Sequence, residues 1–154
     1  MRTRRLWILL FAIGSALSVF AGCSSAEPLT VADFRNEANS ICRTVRREVR
    51  RLPSADASEP ERMLATGMLA IEAQRRGVRD LAALAAPTGA AADVERWLAT
   101  TTQTIDAASR SLRAQRAGDF AAATRANTEG AAHAARADDL ARGLGLTACV
   151  GVRQ

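Results

Sequence analysis

The 154-residue sequence has no Lys and no Tyr, a single His, three Cys and six aromatic residues. All 21 basic residues are therefore Arg, and any core must be aliphatic and finely packed, because large rings are too few to fill it. One His and three Cys leave little material for a metal site. Scarcity of β-branched runs argues against a sandwich, a barrel or a parallel sheet. The chain also lacks a Gly-rich phosphate loop, a nucleophile elbow and an HExxH pair. No catalytic residue is assigned, and the expectation is a protein that is not an enzyme. Asp138-Asp139 is a carboxylate pair in sequence only, since adjacent helix positions point apart, and both are expected to be solvated. Ala is abundant instead, at 34 positions, in a chain long enough for one compact domain.

The start reads as an address. Met1-Arg-Thr-Arg-Arg5 is positively charged, and Leu6 to Gly22 carries no charge. This is the layout of a secretory signal peptide. A run of 17 residues is about 25 Å long as a helix, short of the ~30 Å hydrocarbon core, so it makes a poor permanent span. Phe20-Ala-Gly-Cys23 resembles the bacterial lipobox, with Phe20 where Leu or Val is usual. The resemblance implies diacylglycerol on the Cys23 thiol and cleavage before it. Ser24-Ser-Ala26 also has the small-x-small form of an ordinary cleavage site, which would release a secreted protein. Under either processing, or if the segment stays uncleaved as a short anchor, residues 27–154 are expected outside the cytoplasmic membrane. The lipoprotein reading sets residues 1–22 as signal, 23–32 as lipidated Cys and tether, and 33–154 as the folded domain, on the outer face of that membrane.

Removal of the signal changes the charge. Three Arg and no acid lie within it, so the remainder carries 18 Arg against 16 acids. Such balance, outside the membrane, gives no case for a nucleic-acid partner.

Four amphipathic stripes follow. Phe34, Ala38, Ile41, Val45, Val49 and Leu52 recur at steps of three and four, predicting a helix from Asp33 to Leu52 that stops at Pro53. Ser58-Glu-Pro-Glu61 has capping-box spacing. The second helix then carries Met63, Leu64, Gly67, Met68, Ile71, Val78, Leu81 and Ala85 inward and ends at Pro87. The third places Val94, Trp97, Leu98, Thr101, Ile105, Ala108 and Leu112 within ~100° of arc. Gly118-Asp119 reads as a C-terminal stop followed at once by an N-cap. The fourth runs from Phe120 to Leu144, with Ala123, Gly130, Ala134, Ala137, Ala141 and Leu144 inward, small enough for close approach to its neighbours. The fold class is all-α, an up-down-up-down four-helix bundle.

With Cys23 committed to lipid, Cys42 and Cys149 remain as a pair in an oxidising compartment. Antiparallel order sets the end of the fourth helix beside the start of the first, so a structural disulfide between them is expected. A reactive or metal-binding pair finds no CxxC spacing or neighbouring His in support. Phe34-x4-Asn39-x-Ile41-Cys42, Gly118-Asp119 and Leu144-Gly145-Leu146-x2-Cys149 are similar to segments of small actinobacterial secreted or lipid-anchored proteins, alanine- and arginine-rich and helical with one terminal Cys pair. That resemblance implies location and fold, and no activity.

One surface feature stands out. Arg43, Arg46, Arg47 and Arg50 fall at i, i+3, i+4 and i+7, opposite the apolar stripe, and are candidates for contact with anionic lipid or another envelope partner. His133 is expected at the boundary of the fourth stripe, and Glu129 precedes it by four positions rather than the three of a di-iron motif. Met63 and Met68 are expected to fill core. The functional expectation is an interaction module held at the membrane by its lipid. The alternative is a carrier or sensor of an apolar ligand, lipid or haem, in a cavity lined by Met68, Trp97, Ile105 and Leu112. No cofactor is assigned.

Overall fold

The computed structural model describes residues 28–54 and 58–151. The signal peptide, Cys23 and the first part of the tether lie outside the described residues. Four helices occur in order, α1 (Val31–Arg50), α2 (Pro60–Ala82), α3 (Ala91–Arg116) and α4 (Phe120–Gly143), and a 3-10 turn at Thr147–Cys149 ends the fold. Consecutive helices are neighbours, as an up-down-up-down bundle requires.

Local chemistry sets the ends. Thr30 caps α1, its hydroxyl accepting from the Asp33 amide at 3.1 Å. α1 therefore begins two residues earlier than the apolar stripe alone indicates. α2 starts at Pro60 with Glu59 in the N-cap position, so Ser58 is not the cap of the expected box and Glu61 falls at the second helical residue. Pro60 accounts for this shift, because a ring with no N–H suits the first helical position. α2 also ends at Ala82, before Pro87; Leu84 and Ala86 follow as an irregular strap against the core, and Ala85 is half-buried there rather than on the helix. Between α3 and α4 the chain turns within three residues. The amides of Gly118 and Asp119 bond to the carbonyls of Gln115 and Ala114, closing α3 in a Schellman motif, while the Asp119 carboxylate caps α4 through the Ala122 amide at 2.9 Å. Gly118 has φ +76°, a conformation that disfavours any side chain.

Packing follows side-chain size. α3 and α4 form the closest pair in the bundle. Ala123, Ala126 and Ala137 of α4 are buried, as are Thr100, Thr104 and Ala107 of α3. A Cβ on Gly130 would lie 3.2 Å from that of Ala107. The two threonines satisfy their hydroxyls on the carbonyls of Arg96 and Thr100, which lets polar residues sit in the seam without loss. α1 meets α2 in the same way at Gly77, where an added Cβ would come 2.4 Å from Val45 Cγ2. A continuous core gathers at one end, where Phe34, Ala38, Leu81, Val94, Trp97, Ala137, Ala141 and Leu146 pack around Cys42 and Cys149.

The other end is less filled. Met63 and Met68, expected in the core, are 41% and 37% exposed, and Phe120 is 71% exposed. The first turns of α2 and the last turns of α3 line an open groove that includes Leu64, Met68 and Leu112. Both methionines sit at that end, and their positions on the stripe bury them only in part.

Candidate functional site: the C-terminal clamp and the Arg face of α1

The ring of four helices does not close on itself. Among the described residues, no Cα of α1 comes within 8 Å of one of α4. The segment after α4 fills this seam instead. A second Schellman motif, with the Leu146 amide on the Ala141 carbonyl at 2.8 Å and Gly145 at φ +75°, turns the chain back. Leu146 is then fully buried between the helices, and Cys149 forms a disulfide with Cys42, with Cα atoms 5.1 Å apart. The expected pairing is therefore the observed one.

Polar side chains of α1 grip the returning backbone along its length. Arg35 Nε donates to the Leu144 carbonyl at 2.8 Å. Asn39 donates to the Gly145 carbonyl at 3.4 Å and accepts from the Ala148 amide at 2.8 Å. Arg46 donates to the carbonyls of Ala148 and Val150 at 3.1 and 2.7 Å. From α4, Asp138 accepts the Gly151 amide at 3.2 Å. Asp138 is thus half-buried and engaged, unlike its solvated neighbour Asp139, which pairs with Arg142. A returning segment outside any helix or sheet ladder has backbone amides and carbonyls to satisfy, and these side chains supply the partners. The apolar stripe marks neither Arg35 nor Asn39, and Asp138 was expected in solvent. Arg35, Asn39, Cys42 and Arg46 recur at steps of four, three and four, a second stripe beside the apolar one, and that spacing was the available signal.

The clamp removes Arg46 from the basic face. At about 100° per residue, Arg43, Arg47, Arg50 and the cap residue Arg51 share roughly 100° of outward arc, and Arg46 falls outside it on the side of the returning segment. Arg43, Arg47, Arg50 and Arg51 are exposed. Among the described residues none of these four makes an ion pair; Arg62, Arg75, Arg76, Arg96, Arg110 and Arg142 each meet a carboxylate, and Arg79, Arg113, Arg116, Arg125 and Arg136 on the other helices do not. Arg47 reaches only the Thr44 hydroxyl, at 3.0 Å.

His133 is half-buried, its Nε2 3.6 Å from Glu129. Arg110 hydrogen-bonds the same carboxylate at 2.8 Å and is the main reason its pKa lies below the ordinary value. The pair ties α3 to α4. Among the described residues, no group of three or more His, Cys, Asp or Glu is placed to share a metal ion.

The four residues expected around a ligand cavity separate into two places. Trp97 and Ile105 border a space of about 40 Å³ beside the disulfide, together with Val45, Gly77 and Leu81. Met68 and Leu112 line the open groove at the other end, a space of about 710 Å³. No described helix is long and apolar enough to cross a membrane. No protein-family model, curated protein or solved structure matches this chain.

Proposed function

We propose that this chain is a bacterial cell-envelope lipoprotein, attached through lipid on Cys23, whose helical bundle serves as an interaction module at the outer face of the cytoplasmic membrane. The signal-like start and the Phe20–Cys23 segment support the location. A buried disulfide that closes the fold supports an oxidising compartment. The observation that carries the module reading is how the core is filled. Trp97, Ile105 and the disulfide leave about 40 Å³ between α1, α2 and α3, room for a few waters, whereas ligand sites take about 300–1,000 Å³; the space of about 710 Å³ at Met68 and Leu112 is an open surface groove rather than an enclosed cavity. A surface partner suits such a molecule better than an enclosed lipid or haem.

Native mass spectrometry of the protein purified from its own host separates the two. The module reading predicts the mass of the processed, lipid-modified chain with no additional bound molecule. A stoichiometric apolar ligand that survives purification would contradict it in favour of a carrier.

A further inference from the structure

The net charge of the described residues resides on one helix. With its cap residue Arg51, α1 has six Arg against three acids. α2, α3 and α4, with the cap residues Glu59 and Asp119, together have 11 Arg against 11 acids. Within α1 the charge is again uneven. Asp33 and Glu37 lie in the first two turns, and the last three turns hold the unpaired Arg43, Arg47, Arg50 and Arg51, while Glu48 there is taken by Arg76 at 3.2 Å.

We infer that this outward face of α1 lies flat against anionic phospholipid headgroups, so that the bundle rests on its side on the membrane. The inference deepens the proposal above and rests on the lipid at Cys23. Val31 lies eight positions after Cys23, a reach of at most about 29 Å. Arg43 lies about 18 Å along α1 from its start and Arg51 about 30 Å. In an upright bundle these charges stand at least about 18 Å from the surface, beyond the Debye length of ~8 Å at physiological salt, where attraction is screened. Laid parallel to the membrane, all four reach it together, within the tether's length. Shape favours a lipid surface over a small anion. The four guanidinium groups follow the convex side of a helix for about 12 Å, a straight row suited to a plane of phosphates rather than to one ligand. Arg46, held by the Ala148 and Val150 carbonyls, fixes the returning segment beside this row and adds no free charge to it.

Neutron reflectometry of the intact lipidated protein on supported bilayers measures the orientation directly. The bilayers are phosphatidylcholine alone or phosphatidylcholine mixed with phosphatidylglycerol. A bundle lying flat is two helices thick, about 20 Å, and an upright one is about 39 Å, the length of α3. The expected result is a layer near 20 Å on the anionic bilayer that thickens toward 39 Å in high salt. The same thick layer is expected on neutral lipid, and in a variant with Arg43→Gln, Arg47→Gln, Arg50→Gln and Arg51→Gln. Equal thickness on both bilayers, or a thin layer from the variant, overturns the inference. So does an upright layer on anionic lipid with soluble poly(glycerol phosphate) retained by the wild type alone, which would assign the face to polymer. If no layer forms on neutral lipid, the anchor is refuted separately. The face then stands on a thin, salt-released layer on anionic lipid and falls if that layer is missing too.

Discussion

Gly77 and Val45 show how narrowly the residues of this bundle are fitted. The Val45 side chain is stiff at χ1 and cannot swing away from a Cβ placed 2.4 Å from its methyl. Gly77→Ala should therefore destabilise the protein by about 1–3 kcal/mol as an overpacked contact. In a Val45→Ala background the clash is gone, and the same change should become neutral or stabilising by up to about 1 kcal/mol, since Ala is the better helix former. Urea unfolding of the four proteins tests this, and an equal cost in both backgrounds would contradict it. Glu129 offers a second test at this scale. Arg110 depresses its pKa, so Arg110→Gln should move the carboxyl back up toward its ordinary value, as read by NMR titration. A carboxylate whose folded pKa is lowered adds stability above its unfolded pKa and loses it as pH falls through the folded value. The Glu129 side chain is 52% exposed, so loss of the Arg110 contact should show in its own titration and move the unfolding midpoint only slightly.

At the scale of elements, the returning C-terminal segment does the work of a direct α1–α4 contact. Cys42 and Cys149 are separated by 107 positions, and a loop of that length gives ~4–5 kcal/mol in the chain-entropy account. Cys149→Ser should lower stability by about that amount, and peptide mapping without reductant should find the single Cys42–Cys149 link; two free thiols in exported protein would refute it. Asn39→Ala leaves the Ala148 amide and the Gly145 carbonyl without their partner and should cost about 1–3 kcal/mol with the disulfide intact. Fast hydrogen exchange at residues 145–150 should accompany that loss. Helix number, order and most boundaries were legible in the sequence, because Phe34, Ala38, Val45, Ile71, Leu81, Val94, Trp97 and Ile105 mark their stripes by hydrophobicity. The second buried side of α3 was not. Thr100, Thr104 and Ser111 are buried through their small size and local hydrogen bonds, properties that a hydrophobic pattern does not register. The Cys pairing was readable from antiparallel order, but the clamp around it was not, since Arg35 and Arg46 are spent on backbone carbonyls that only the fold brings near. Met63 and Met68 fail for the opposite reason, lying on an inward stripe at the end where the groove leaves them partly exposed.

For the whole molecule, the two ends differ in kind. The end holding Phe34, Trp97 and the disulfide is closed and clamped, and it is also where the tether enters. The far end is open, with Phe120 and Met63 in solvent. Charge is just as uneven, nearly balanced over three helices and positive along the outward side of the first. Under the proposed attachment at Cys23 each of these features would gain a meaning: a domain held close to a surface has a near end, a far end and a side to present. Maturation of the full chain in its own host is therefore the most direct test. Phase partition and mass of the wild type, of Cys23→Ser, and of wild type grown with globomycin would be compared. The account predicts that the wild type enters the detergent phase as a processed, lipid-modified chain. Cys23→Ser should leave an uncleaved precursor without that modification, and globomycin, which blocks cleavage after the thiol is modified, an uncleaved precursor that carries the lipid. A Cys23→Ser protein of unchanged size and unchanged membrane retention would contradict it.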